Sequence, residues 1–213
     1  GELIFFSAID EGMVLTLADH TDMAGHLRRE LDALEREGAP QHILGCDCIL
    51  RKIEVIGDAL GVADRADGLA AEVETALSAA MADAERPEAD KKRVLFVLST
   101  QGGRINASGA GTAADALIRM AGGVNAVSEF EGYKQITDEA VGLAAPDVIL
   151  MMDRTGDHAA GDDELFDMPA IRMTPAAETR SVVRMDGLLI LGFGPRTAEA
   201  IEALNAALYG TPG

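Results

Sequence analysis

The segment Arg93–Gly123 constrains the fold most, because it contains a complete strand, loop and helix. Five apolar residues, Val94–Leu98, are flanked by charged and polar residues and are typical of a strand that is buried on both faces. The polar, glycine-rich stretch Ser99–Gly111 predicts a long loop. Thr112 then lies three residues before Asp115, as in an N-terminal capping box, and apolar residues recur at helical spacing. The unit predicts an α/β fold, in which ligands bind at the carboxyl ends of the strands.

The same segment contains a match to the dinucleotide-binding fingerprint, GAGTAA at Gly109–Ala114. That fingerprint requires its first glycine directly after the strand, so that the pyrophosphate meets the helix N-terminus. A long loop separates this glycine from Val94–Leu98, so the spacing argues against a nucleotide site. A glycine-rich surface loop without a ligand remains the open alternative.

The chain is strongly acidic, with 36 Asp and Glu residues against 18 Lys and Arg and a formal net charge of −18. Such a charge repels phosphate backbones and anionic lipids, so we expect no nucleic-acid partner and no binding to anionic membranes. No apolar run reaches the roughly 18 residues of a membrane-spanning helix, so no membrane insertion is expected. The chain begins with Gly and shows no leader pattern, which leaves a cytoplasmic location open.

The first 52 residues predict a small piece with a β-hairpin, a helix and a strand. Two apolar, β-prone runs within residues 2–18 flank an Asp–Glu–Gly turn, and an amphipathic helix follows. His42–Leu50 predicts a strand in which Cys46 and Cys48 share one face. Two cysteines are too few for a disulfide framework, so buried thiols are expected, with a redox or ligand-sensing role as the alternative.

The next segment predicts a helical connector. Residues 53–85 are alanine-rich, with apolar residues at helical spacing that Gly61 interrupts. Pro87 lies in the polar linker Arg86–Lys92 and ends the helix. The predicted division of the chain is therefore 1–52, 53–92 and 93–213.

The last third of the chain predicts further alternation of strands and helices. Thr137 is expected to cap a helix that ends at Ala144, and an apolar strand follows Pro146. This alternation from Arg93 onward predicts an α/β sandwich. The remaining expected elements are strands at Asp147–Met152, Ile171–Met173, Val182–Met185 and Leu188–Phe193, and a final helix at Thr197–Tyr209.

Two family resemblances add to this reading of the residues. The segments LIFFSAIDEGMVLTL and LGCDCILRK, within about the first 52 residues, resemble the closing part of the C-terminal FIST domain, a bacterial sensory input module. This resemblance implies an alternative function, a cytoplasmic ligand-sensing module. It covers a fraction of that domain, so no ligand-binding residue is carried over from it.

Residues from about 53 to 209 resemble the C-terminal half of the periplasmic heme-binding proteins of ABC importers. The resemblance implies a three-layer α/β lobe of the class III substrate-binding protein type, in a periplasmic receptor that holds heme between two lobes. It also implies delivery of heme to an ABC permease. The segments that carry it are VLFVLSTQGGR, GTAADALIRMAGGVNA, FEGYKQITDEAV, APDVILMM and MDGLLILGFGPRT.

The resemblance does not transfer an iron ligand. The matched segments exclude the family's first lobe, which carries its axial tyrosine. Some members have a histidine in the loop after the first strand, where this sequence has Ser99, Thr100, Gln101 and Gly102. We therefore expect heme binding with the axial ligand unassigned.

Three residues are candidates for the ligand-binding surface. Arg104 is suited to pairing with a heme propionate, and the alternative is a solvated loop arginine. Gln101 precedes it in the same loop and is a weaker pocket candidate. Tyr133 is suited to lining the cleft by stacking or hydrogen bonding, and the alternative is a packing tyrosine.

Two further residues have predicted roles in binding and docking. His158 is a weak candidate ligand of heme iron, since a neutral imidazole binds ferric iron, and the alternative is a solvated histidine. Glu139 falls where the resemblance implies a glutamate that docks on the permease. Its alternative role is an acid at the helix N-terminus, stabilised by the helix dipole.

The sequence shows no catalytic signature. It contains neither a G-x-S-x-G elbow, nor a P-loop, nor an HExxH zinc motif, and its carboxylates form no convincing catalytic pair. We therefore predict a binding protein and no enzymatic activity.

Overall fold

The computed structural model describes residue 53, residues 56–153 and residues 161–210. These residues fall into two compact units, with the division between Ala76 and Leu77. In the first unit, apolar side chains including Ile56, Leu60 and Leu69 line an open groove of about 840 Å³. Within the described ranges, no helix is both long and apolar enough to cross a membrane.

The second unit is built on a mixed sheet whose described strands lie in the order β4-β2-β1-β5-β6, with β3 paired to β1 beside β2. The strands β1, β3, β5 and β6 are parallel, whereas β2 and β4 run antiparallel to their neighbours. The strand bounds are β1 Arg93–Ser99, β2 Ile105–Ser108, β3 Val124–Asn125, β4 Tyr133–Ile136, β5 Val148–Asp153 and β6 Val182–Asp186.

Helices cover both faces of this sheet. One face packs against the end of α1 and against α2, α6 and α7, and the other face packs against α3, α4 and α5. The helix bounds are α1 Ala63–Ala84, α2 Ala113–Met120, α3 Asp138–Ala144, α4 Asp162–Asp167, α5 Pro175–Thr179, α6 Gly187–Leu191 and α7 Thr197–Tyr209. Short 3₁₀ helices occur at Glu88–Asp90 and Gln101–Gly103.

Strand β1 shows why the layers form. Val94 and Phe96 enter the core on the α2 side, while Leu95 and Val97 enter the core on the α3 side, and all four are buried. Alternate side chains of a strand point to opposite faces, so an uninterrupted apolar run requires cover on both. The predicted three-layer α/β lobe is therefore confirmed.

The end of α1 is fixed to the lobe through its last turns. Ala84 is buried, and the carbonyl oxygen of this residue lies 2.2 Å from the position that a Cβ would take on Gly122. Arg86 lies over the ring of Tyr209, 4.0 Å from its centroid, and donates to the side chain of Asn205. Tyr209 in turn donates its hydroxyl to the carbonyl of Gly122. The lobe thus includes the carboxyl end of the predicted connector.

Several predicted elements are confirmed. Thr112 and Thr137 cap α2 and α3 by accepting from the backbone N–H three residues on. Strands β5 and β6 and the final helix α7 form within a residue of the expected bounds. The three-part domain division remains a prediction, because residues 1–52 lie outside the described residues and the two compact units divide inside α1.

Three predictions were wrong. The expected loop Ser99–Gly111 contains β2, because Ile105 and Ala107 are buried against the sheet while Asn106 between them is not. Ile171–Met173 forms turns instead of a strand, with the backbone N–H of Ile171 bonded to Met168. Leu188–Phe193 begins as a helix instead of a strand, because Asp186 accepts from the N–H of Leu189 and caps α6.

Candidate functional site at the carboxyl edge of the sheet

The three parallel strands β1, β5 and β6 end together at one edge of the sheet. Val97 is paired with Met151, and Met151 is paired with Arg184, so the strands end in register. We call this edge the carboxyl edge. Ligands of open α/β sheets bind at such an edge, because the loops that leave the strands converge there.

The loop after β1 presents two of the predicted binding residues. Gln101 begins the short 3₁₀ helix, and Arg104 follows it before β2. Gly102 and Gly103 have φ angles of 68° and 74°, which glycine adopts without strain, and this lets the chain turn back tightly. Gln101 and Arg104 are both exposed, and Arg104 pairs with none of the carboxylates that the structure describes. The guanidinium is therefore available to an anionic ligand.

An apolar surface adjoins this loop along the carboxyl edge. Met152 follows Met151 at the end of β5 and is half-buried, as is Leu98 near the end of β1. Gly187 lies directly on Met152, with its Cβ position 2.9 Å from the Met152 sulfur. Leu188, the next residue of α6, is 80% exposed. The carboxyl edge thus combines a cationic loop with an apolar surface.

The structure places Tyr133 away from Arg104. Tyr133 is paired with Ser108 at the far end of β2, whereas Arg104 precedes the first residue of that strand. The ring lies edge-on to Phe96, at 6.5 Å between centroids. Burial raises the pKa of the phenol above its usual 10.0, and hydrogen bonds to Thr112 and Ser108 oppose this shift. Tyr133 is therefore held by the sheet, although the residue is 42% exposed.

Glu139 occupies the first turn of α3 and is exposed. Ile136 is paired with Ile105, so α3 begins at the same end of β2 as Arg104. Leu143 lies one turn further along the same helix and is 86% exposed. The placement leaves Glu139 accessible to a partner protein.

His158 lies outside the described residues, so its predicted role as an iron ligand stays a prediction. Within the described part of the chain, no group of three or more His, Cys, Asp or Glu side chains is arranged to hold a metal ion.

A buried polar network surrounds the glycine-rich segment before α2, and the sequence analysis did not predict it. Asn125 donates to the carbonyl oxygens of Ser108 and Gly109 and to the carboxylate of Asp115, at 3.0–3.3 Å. Asp115 also accepts from the side chain of Arg119. A polar Asn directly after the apolar Val124 in the two-residue strand β3 is the one available signal, and it is a weak one.

The glycines of that segment allow neighbouring parts of the chain to pack closely. A Cβ on Gly109 would lie 2.1 Å from the carbonyl oxygen of Phe130, so only glycine fits there. The N–H of Gly109 donates to Gly132, and the N–H of Gly111 donates to Asp115. The structure therefore explains the fingerprint-like match by close chain packing around α2.

Comparison with known proteins assigns the family. A family model described as periplasmic binding protein matches residues 22–188. The chain belongs to the periplasmic binding protein family. This membership confirms the prediction of a binding protein without enzymatic activity. The match begins at residue 22 and so overlaps the residues of the FIST resemblance, which these comparisons do not support.

Solved heme-binding proteins are similar to this periplasmic binding protein. The heme-binding protein BhuT, in complex with two hemes, is 39% identical with a TM-score of 0.70, over 75% of this chain and 61% of that one. RhuT from Roseiflexus sp. RS-1 is 35% identical with a TM-score of 0.69, over the same shares of the two chains. Iron- and hydroxamate-related structures at 17% and 19% identity show the shared fold alone.

A curated relative adds the transport context. The uncharacterized ABC transporter substrate-binding lipoprotein YvrC of Bacillus subtilis is 26% identical over 161 residues, which are 76% of this chain. The chain spans about half the length of this relative.

Proposed function

We propose that this chain is the carboxyl-terminal lobe of a heme receptor that serves an ABC importer in the periplasm. The observation that carries the proposal is the similarity to BhuT and RhuT, at 39% and 35% identity over three quarters of the chain. Both are named as heme-binding, whereas the iron- and hydroxamate-related structures are less than 20% identical. Heme is therefore the favoured ligand.

The chemistry of the carboxyl edge suits this ligand. Heme has a flat apolar body and two propionates. The edge offers an apolar surface and the guanidinium of Arg104, which pairs with no carboxylate in the described part of the chain. Arg is the side chain best matched to a carboxylate, because its planar fork donates two parallel hydrogen bonds. Gln101 lies in the same loop and supplies a neutral donor and acceptor.

A single lobe is expected to bind heme weakly. It covers one face of the macrocycle, so about half of the apolar area that a two-lobed receptor removes from water stays wet. At about 25 cal/mol per Å² of apolar surface, that loss amounts to several kcal/mol for a ligand of this size. Each 1.4 kcal/mol is about tenfold in affinity, so the lobe alone is weaker by orders of magnitude.

A hemin titration followed in the Soret band tests the proposal. Arg104→Ala removes one charge-assisted contact, worth about 1.5–3 kcal/mol, and so raises Kd about tenfold or more. Arg172→Ala is the matched control, because Arg172 is also exposed and lies in the turns before α5. His158→Ala tests the predicted iron ligand, whose loss shifts the Soret maximum. Absence of any Soret change with the unsubstituted chain would contradict the proposal.

The second part of the proposal is that the receptor docks on a permease through Glu139. Glu139 is an exposed carboxylate on the first turn of α3, and a carboxylate is the group with which an arginine of the permease would pair. In the full receptor with its permease, Glu139→Ala should reduce heme transport and leave hemin affinity unchanged. Transport at the original rate would remove this role from Glu139.

A further inference from the structure

Helix α6 is apolar on every side, yet it is only partly covered. Its sequence after Gly187 is Leu188, Leu189, Ile190 and Leu191, and of these Ile190 alone is fully buried. A helix that is apolar all round normally lies inside a core. With Leu188 80% exposed, α6 presents apolar area that the described lobe does not cover.

The turn after α6 holds a bulky residue in an unusual backbone conformation. Phe193 has a φ angle of 41°, in the left-handed region that glycine favours and that a large side chain rarely adopts. Its ring is half-buried at the edge of the core that contains α6. Such conformations concentrate where a loop is shaped for function, because the surrounding structure must hold them in place.

Two half-buried apolar side chains lie along the carboxyl edge beyond α6, on the face of the sheet that α6 covers. Gly187 rests on Met152 at the end of β5, and Leu98 lies near the end of the adjacent strand β1. The strip from Leu188 through Met152 to Leu98 therefore runs from β6 to β1, toward the loop that holds Arg104. From β6 to β2 there are three strand spacings, about 14 Å in all.

We propose that this strip, Leu188, Met152 and Leu98, is a platform for the flat face of a tetrapyrrole, and that Leu188 sets its specificity. The inference rests on the proposed function and names the residues that separate heme from hydrophilic iron chelates. A ligand that touches both α6 and Arg104 must be about as broad as the 14 Å separation. A bare metal ion or a small anion is too small, and a trihydroxamate chelate lacks a flat apolar face.

Leu188 is suited to a test because its side chain is mostly in water. Substitution of an 80% exposed residue removes little of the core, so the fold should survive Leu188→Asp. Leu143 is the matched control, since it is 86% exposed and lies on α3, which packs on the opposite face of the sheet from α6. Leu143→Asp adds the same charge at a different surface.

The experiment titrates the unsubstituted chain, Leu188→Asp, Leu188→Met and Leu143→Asp with hemin and, separately, with a ferric trihydroxamate. Leu188→Asp should raise the hemin Kd at least tenfold, while Leu188→Met and Leu143→Asp stay within about twofold of the unsubstituted chain. Circular dichroism of each variant checks that the fold is retained. An unchanged Kd for Leu188→Asp, or an equal loss for Leu143→Asp, would overturn the platform and leave the proposed function standing.

Two other outcomes separate the remaining occupants of the strip. If the unsubstituted chain binds the trihydroxamate and not hemin, the proposed function fails, and the inference fails with it. If the free chain is a dimer in light scattering and Leu188→Asp makes it monomeric, a second copy covers the strip and the platform assignment is overturned. A monomer whose hemin affinity depends on Leu188 supports both the proposed function and the platform assignment.

Discussion

Helices α2 and α6 both follow strands of the same sheet, and both are capped by a side-chain oxygen, but their surroundings differ. Around α2, the polar groups of Thr112, Asp115 and Asn125 are buried and hydrogen-bonded to one another and to the chain. On α6, the apolar side chain of Leu188 is 80% exposed at the carboxyl edge. The fingerprint-like segment is thus satisfied internally, and the incompletely covered surface is where a ligand is expected.

The largest expected effect concerns the end of α2. Gly122 has a φ angle of 80°, and its Cβ position lies 2.2 Å from a backbone oxygen of Ala84. Gly122→Ala should therefore lower the free energy of unfolding by about 1–2 kcal/mol for the left-handed backbone and by about 1–3 kcal/mol for the clash. Gly132→Ala is the control, with a φ angle of 74° and no atom within 4 Å. Urea denaturation measures both, and equal costs would show that the α2 segment is not tightly packed.

The next effect concerns the polar network of α2. Asn125→Ala removes the acceptor of the buried N–H of Val127. It also removes the amide that donates to Asp115 and to two carbonyl oxygens. The free energy of unfolding should fall by about 1–3 kcal/mol, the usual cost of a buried polar group left unpaired. Asn106→Ala on β2 is the control, because Asn106 is half-buried and outside the network. Similar stability of the two variants would argue that the network is dispensable.

The smallest expected effect concerns Tyr133 and pH. Its pKa in the folded state is raised above 10.0 by burial, so the folded chain retains this proton at pH values where the unfolded chain loses it. The stabilising contribution is complete below pH 10 and declines as the pH rises through the folded-state pKa. Tyr133→Phe should therefore show a shallower loss of stability above about pH 10 in urea denaturation. Parallel pH profiles would indicate that the phenol is not desolvated.

The sequence predicted the parts of this fold that carry strong local signals. The buried runs in β1 and β5 and the threonines that cap α2 and α3 were sufficient to place those elements. Strand β2 was missed, because four residues give too short an alternation to stand out from a polar loop. Helix α6 was mistaken for a strand, because a continuous apolar run has no period that separates the two.

The candidate site was predictable to a similar extent. The loop with Gln101 and Arg104 followed from the rule that ligands bind at the carboxyl ends of strands. The apolar strip of Leu188, Met152 and Leu98 could not be predicted from the sequence. Its residues lie near the ends of three separate strands, and only the register of the sheet brings those ends to one edge. Tyr133 was placed with the site on residue type alone, and the register locates it at the other end of β2.

Hydrogen–deuterium exchange with and without hemin compares the two regions directly. We expect hemin to slow exchange in peptides from residues 98–104 and 186–194 and to leave residues 109–125 unchanged, because the polar groups of the α2 segment are already hydrogen-bonded. Protection confined to residues 109–125, or no protection at either carboxyl-edge segment in a sample whose Soret band shows bound hemin, would contradict it.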